Sequence, residues 1–404
     1  TSRHIVLGKF LGMMMYGLLM FSVLLVYVIL GGCWIESFDW AAVLTGLLGL
    51  YLLFGTYAAI GLFMSTLTTY PIVAAIYMLA LLTFLRFVSG LWQEYTFVRD
   101  ITYWLALDRR AGTFINGMIC SEDFLYFVIM TAMFLGFAIL KLQFIRERRS
   151  MLSKVGRFLG VFIVAMLLGY VTSRPTLRFY HDSTHTKTNT LTEASQEIVS
   201  KLDGGLKMTT YVNLFGSIYN ITPAKVMADI ARYNSYIRFK PETKMDYVFY
   251  YYTDTTDGFF AHRFAGKTLS EAAKEMAKFQ GVNAKKYVPL SKVDPDVDLR
   301  DEGYRFVVLL ERENGEKTFL RVFNDAQRVP FETEISAALK RIGMKLPSVG
   351  FLSDHYARTI TGDRNRDYSY MVSEKLYRSA LINQGFDVVD VKLSRNPQLL
   401  DSLD

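Results

Sequence analysis

Apolar residues run in long unbroken blocks through the first 174 positions of this chain, then recur in short periodic groups divided by charge. A helix crossing a bilayer needs about 20 apolar residues at about 1.5 Å rise each. Phe10–Leu30 meets that length without a charge, and so does Ala41–Met64. Pro71 opens a third block at a first-turn position, where its missing N–H costs little, and the block runs to about Leu85. The fourth is Phe124–Leu140. The fifth, Phe158–Val171, is short but reaches Val155–Thr172 if the Arg157 side chain snorkels. From Ala41 to Leu85 no side chain is charged. The pattern predicts an α-helical polytopic membrane bundle of about five transmembrane helices.

Beyond Arg174 the periods shorten. Thr190 and Glu193 have capping-box spacing ahead of Ile198 and Leu202. "LKMTTYVNLF" and "KMDYVFYYYTD" read as strands, with the helical "TPAKVMADIARYNSYI" between them. "LSEAAKEMAKFQG" reads as a helix stopped by Gly281. "YRFVVLLERENGEKTFLRVF" reads as a hairpin, with Asn314-Gly315 suited to a primed two-residue turn. "ETEISAALKRI" (helix), "PSVGFLS" (strand), "YMVSEKLYRSALINQG" (helix) and "FDVVDVKLS" (strand) complete the series. Strands alternating with helices predict an α/β domain with a largely parallel sheet.

Charge orients the bundle. Residues 141–157 hold Lys141, Arg146, Arg148, Arg149, Lys154 and Arg157 against the single acid Glu147, whereas the loop "GGCWIESFDW" after the first block has only acids. Lys and Arg mark the cytoplasmic side. The N-terminus and this basic hinge then lie inside, and five crossings carry the α/β domain out. The expected layout is four helices over 1–145, a hinge at 146–157, a fifth helix at 158–174 and an extracytoplasmic domain at 175–404. Between the third and fourth blocks, Phe97, Val98, Ile101, Trp104 and Leu105 recur at helical spacing among Arg99, Asp100, Asp108 and Arg109. That spacing predicts an outside interfacial helix within about 90–120, with Trp92 and Trp104 at headgroup level.

Composition sharpens the picture. The chain is 404 residues long, 51% hydrophobic and 15% aromatic, far from the average soluble protein. The net charge of +7 has a large share in loops flanking the apolar blocks, so it argues topology and not nucleic-acid binding. Cys33 and Cys120 lie near span ends, where an oxidising face would allow a disulfide. No G-x-x-x-x-G-K-[ST], G-x-S-x-G or H-E-x-x-H motif is present, so ATP hydrolysis, catalysis and resident metals or cofactors are not expected of this chain. "SDHYARTITGDRNRDY" is the most site-like cluster. Asp354 and His355 follow a predicted strand and Asp363 follows soon after, so a ligand or hydrolase loop can be drawn, although a polar strand-end loop explains it as well. His185 in "THTKT", with His181 just ahead of it, reads as part of a solvated linker.

In layout, "RHIVLGKFLG" followed by "AAIGLFMSTLTTYPIVAAI" and "MICSEDFLYFVIMTAMFLGFAIL" resembles the later part of an ABC-2 type permease. The fifth block and "TKTNTLTEASQEIVSKLDG" resemble the Gld-type auxiliary component of gliding-motility-associated ABC transporters, with Lys187, Thr190, Leu191, Thr192 and Ser195 on its K…TLS…T pattern. Ser353-Asp354-His355-Tyr356 departs from the Gly-His-Gly-Glu-like turn of that family. The first two permease helices, the acidic coupling segment before the third and the closing helix of the auxiliary component have no counterpart, which predicts a piece of a longer chain. The resemblance implies a multi-pass subunit of the cytoplasmic membrane, in a homo- or hetero-oligomeric exporter complex with an ABC ATPase subunit in trans and envelope proteins as further partners. A membrane-anchored adaptor without transport activity, or a tethered hydrolase using Asp354 and His355, are the competing readings.

Overall fold

The computed structural model describes residues 2–88, 96–147, 150–174, 177–256, 258–353, 357–363 and 366–392. The chain forms two compact units that divide between Thr190 and Leu191, sixteen residues beyond the boundary expected at 174.

The first unit is helical. It comprises α1 (Ser2–Trp34), α2 (Trp40–Leu67), α3 (Pro71–Phe87), α4 (Thr96–Leu105), α5 (Leu107–Ile115), β1 (Met118–Cys120), α6 (Ser121–Arg146), α7 (Met151–Thr172) and β2 (Tyr180–Asp182). Helices α1, α2, α6 and α7 are long and apolar enough to cross a membrane. The helix expected as the third span, α3, has only 17 residues. Among the described residues four helices, not five, therefore have the required length. Leu11, Leu19 and Tyr27 on α1 and Val164 and Leu168 on α7 stand exposed, a surface that water does not accommodate and lipid does.

The core gathers around α2, whose small residues admit close neighbours. A Cβ at Gly49 would fall 2.2 Å from the Phe114 Cβ of α5, so that helix approaches only because Gly49 has no side chain. Phe114, Tyr126, Phe127 and Met130 are fully buried here. The amphipathic stretch expected to form one surface helix thus forms two, and the second is a core element. Trp104 lies edge-on to Tyr126 at 5.1 Å, and its ring fills the space over Gly169 of α7. Trp92 lies outside the described residues. Cys33 and Cys120 are free thiols, one exposed and one buried, so the disulfide left open above does not form.

The second unit comprises α8 (Glu193–Ser200), β3 (Leu206–Asn213), α9 (Val226–Ile230), α10 (Asn234–Phe239), β4 (Lys244–Tyr251), α11 (Gly258–Arg263), α12 (Leu269–Phe279), β5 (Val288–Pro289), β6 (Val307–Arg312), β7 (Lys317–Arg321), α13 (Glu332–Gly343), β8 (Ser348–Leu352), α14 (Ser369–Val372) and β9 (Asp387–Val391). Its main sheet has the order β5-β4-β3-β6-β7. β3 pairs in parallel with β4 and β4 with β5, but β6 and β7 join antiparallel on the other side of β3. The sheet is mixed, not largely parallel, because a hairpin supplies two of its five strands. β8 and β9 form a separate parallel pair. Central β3 is buried along nearly its whole length, and Met208 and Val212 share a core with Leu339 and Ile342 of α13.

Local chemistry altered three details. The hairpin turn holds three residues, since the Arg312 amide meets the Glu316 carbonyl and Gly315 alone among them has positive φ. This is a type I turn closed by a bulge, not the primed two-residue turn. Thr192, not Thr190, caps α8 by accepting from the Ser195 amide. "YMVSEKLYRSALINQG" forms only the single turn of α14, then a folded loop. There the Asn383 side-chain Nδ2 donates to the carbonyls of Glu374, Lys375 and Tyr377, and Arg378 reaches Asp325 and Glu334, bonds that compete with a helical ladder.

Candidate functional site

At the N-terminal end of α6, four charged side chains meet. Arg110 of α5 donates through one Nη to Glu122 Oε1 at 2.8 Å and Asp123 Oδ1 at 2.6 Å. Glu122 Oε2 pairs with Arg178 Nε at 2.9 Å, and Ser173, just past α7, donates to Glu122 Oε1. Arg178 Nη2 returns to the Ser173 carbonyl at 2.6 Å. Both acids sit in the first turn of α6, where the helix dipole favours negative charge. The side chains of Arg110, Glu122 and Asp123 are about nine-tenths buried. Burial works against the Arg110 charge, but the adjacent Glu122 and Asp123 outweigh it and raise the guanidinium pKa. Arg110 also lies 5.2 Å above the Tyr126 ring, whose hydroxyl donates to the Leu105 carbonyl. Two cations and two anions thus tie α5, the start of α6, the exit of α7 and the strand approach at Arg178 into one neutral cluster.

A second polar knot follows. Asp182 accepts from the amide and hydroxyl of Thr184, the Asn189 amide and the Thr190 hydroxyl. Burial pushes its carboxyl up, but those donors prevail and bring the pKa down to about 2. This is why Thr190 does not cap α8. The knot docks on the helical unit: Ser183 donates to the Gly117 carbonyl, and the His185 amide donates to Asp39, the N-cap of α2. The hydrogen bond from the His185 amide lowers the Asp39 pKa. β2 lies antiparallel to β1, with His181 opposite Ile119. The two histidines therefore belong to a folded segment and not a loose linker, although both side chains are exposed to solvent as expected.

The basic residues split between two helices. Lys141 and Arg146 end α6, Ser150 caps α7 through the Ser153 amide, and Lys154 and Arg157 stand in the first two turns of α7. Residues 146–157 are mostly helical, so the expected hinge shrinks to the few residues between Arg146 and Met151. Arg148 and Arg149 lie outside the described residues. Cations near the start of α7 oppose its dipole, so helix stability does not explain them. Asp354 and His355 also lie outside the described residues. Asp363 is exposed in a loop organised by Asp367, whose carboxylate accepts from the Thr359 and Asp363 amides. Among the described residues no group of three His, Cys, Asp or Glu is placed to hold a metal.

Glu122 and Asp123 escape a reading of the sequence that starts the fourth span at Phe124. Two acids abutting an apolar block, with Arg109-Arg110 upstream, are the signal that points to them.

Compared with family models, curated proteins and solved structures, the chain matches none.

Proposed function

We propose that the chain is a membrane-spanning permease–auxiliary subunit of an ABC exporter of the gliding-motility or envelope type, energised by a separate ATPase docking on its cytoplasmic loops. The observation that carries this reading is the union, in one chain, of an apolar helical unit with a separate α/β unit and no phosphate-cradling loop of its own. The chain would reside in the cytoplasmic membrane with the α/β unit outside, receiving substrate or binding another envelope protein. ATP binding by the partner acts only if it favours one arrangement of the helices over another. The Arg110 cluster is a suitable element for such a difference, since it joins α5, α6 and the end of α7 through charges that are costly to separate.

Purification of the full-length protein from its native membrane tests this. A Walker-type ATPase is expected to co-purify in stoichiometric amount, a reporter fused after Lys201 to be exported and one at Ser150 to stay cytosolic. Recovery of envelope proteins without an ATPase would overturn the transporter reading in favour of an adaptor.

A further inference from the structure

Helices α6 and α7 are antiparallel neighbours. Their aromatic contacts lie toward the basic end, where Phe158 meets Phe137 at 5.6 Å and Phe144 at 5.7 Å. Along their outer side runs an open groove of about 610 Å³, walled by residues that include Val128, Ala132 and Leu140 of α6 and Arg157, Gly160 and Leu168 of α7. Among the described residues Arg157 is the one charged residue in the wall. The groove is open beside Gly160, three residues from Arg157, where an added Cβ would meet no atom within 4 Å.

Length and charge identify the occupant. Leu140 lies twelve residues from Val128, which at about 1.5 Å per residue makes the groove about 18 Å long. That is close to the depth of one leaflet, half of a hydrocarbon core about 30 Å thick. A helix from another chain would need the full thickness and would leave Arg157 without an anion. One end of the groove is cationic. Arg157 stands in its wall, Lys154 precedes it by three residues on the same helical face, and Lys141 follows Leu140 on the facing helix. Guanidinium binds phosphate oxygens in a bidentate fork and reaches the headgroup layer on its apolar stem.

We propose that this groove holds one acyl chain of an anionic phospholipid, with the lipid phosphate paired to Arg157 and Lys154 beside it. The inference rests on α6 and α7 lying in a bilayer, and is independent of whether the chain belongs to a transporter. The lipid would seal a gap that packing between α6 and α7 leaves open, and would fix the basic end of the pair at the headgroup level.

The test uses the full chain purified in mild detergent, given equal amounts of phosphatidylglycerol and phosphatidylcholine with identical acyl chains, and read by native mass spectrometry. The wild-type protein is expected to retain phosphatidylglycerol about tenfold over phosphatidylcholine, as befits one charge-assisted contact. Arg157→Gln should narrow that preference, lowering phosphatidylcholine retention less than phosphatidylglycerol retention, since phosphatidylcholine carries the same phosphate beside a choline cation that Arg157 and Lys154 repel. Gly160→Phe should lose both lipids, and Ala132→Leu on the facing wall should reproduce the loss. Soluble glycerol phosphate in excess should not displace the lipid, because the acyl chain supplies most of the contact. Equal retention of the two lipids by the wild type, full retention in Gly160→Phe and Ala132→Leu, or displacement by glycerol phosphate would each overturn the proposal. A dimer that Gly160→Phe dissociates would overturn it too, since a second copy would then occupy the groove.

Discussion

Replacing Arg110 by Met leaves its volume roughly intact and removes the charge that two buried carboxylates share. In the native cluster Arg110 and Arg178 balance Glu122 and Asp123, so the net charge is zero. Without Arg110, Glu122 keeps Arg178, but Asp123 keeps no cation within the cluster. At a charge separation of about 4 Å and an effective dielectric of about 20, each lost attraction is worth about 4 kcal/mol before desolvation is counted. Breaking a buried pair from one side costs about 3–5 kcal/mol in practice. For a unit of this size that corresponds to a thermal midpoint lower by about 10 °C. The assay is heating of the detergent-solubilised chain, scored by the fraction remaining monodisperse on size exclusion. Arg110→Met/Asp123→Asn restores neutrality and should recover most of the loss, giving a coupling energy of at least about 2 kcal/mol in a double-mutant cycle. The reasoning fails if Arg110→Met melts with the wild type, or if the double variant is no better than the single one.

Two further outcomes follow from packing and titration. Gly49→Val places methyl groups where the Phe114 side chain lies, and should cost about 1–3 kcal/mol or more in the same melting assay. Gly49→Val/Phe114→Ala should regain part of it, because the ring that clashes is gone. Asp182 titrates at about 2 in the folded protein and near 3.8 when exposed, so its stabilising effect is complete above about pH 4 and disappears as pH falls toward 2. That difference is worth at most about 2.5 kcal/mol. Asp182→Asn should therefore make residues 177–190 more susceptible to protease at pH 7, and should flatten the acid dependence between pH 4 and 2. An acid profile identical to the wild type would refute the role given to this carboxylate.

Much of the architecture was legible because single-sequence periodicity reports local burial. The apolar blocks became α1, α2, α3, α6 and α7, and the helix read in "LSEAAKEMAKFQG" became α12. What was not legible depends on partners distant in sequence. Thr190 and Thr192 are equally good caps on paper; the hydroxyl of the first is taken by Asp182, a fact no window around α8 contains. The helix expected after Tyr370 is prevented by Asp325 and Glu334, which draw Arg378 away from a helical course. Strand direction failed for the same reason, since which edge of β3 receives the hairpin is a tertiary choice. Of the site, Lys141, Arg146, Lys154 and Arg157 could be picked out by charge alone. Glu122 and Asp123 needed Arg110, twelve residues upstream of Glu122, to be given a role.

The ladder of Met118, Ile119 and Cys120 with Asp182, His181 and Tyr180 closes α6 and α7 into a loop whose two ends are stitched together. Tension applied from beyond Leu191 would therefore bypass the last apolar helix. It would arrive first at Asn116, Gly117 and Asp39, the residues that hold the amides and side chains of Ser183, His185 and Asn189. A pull on the second unit is thus delivered as a tug on the start of α2 and the end of α5, and α7 is spared until that stitch gives way.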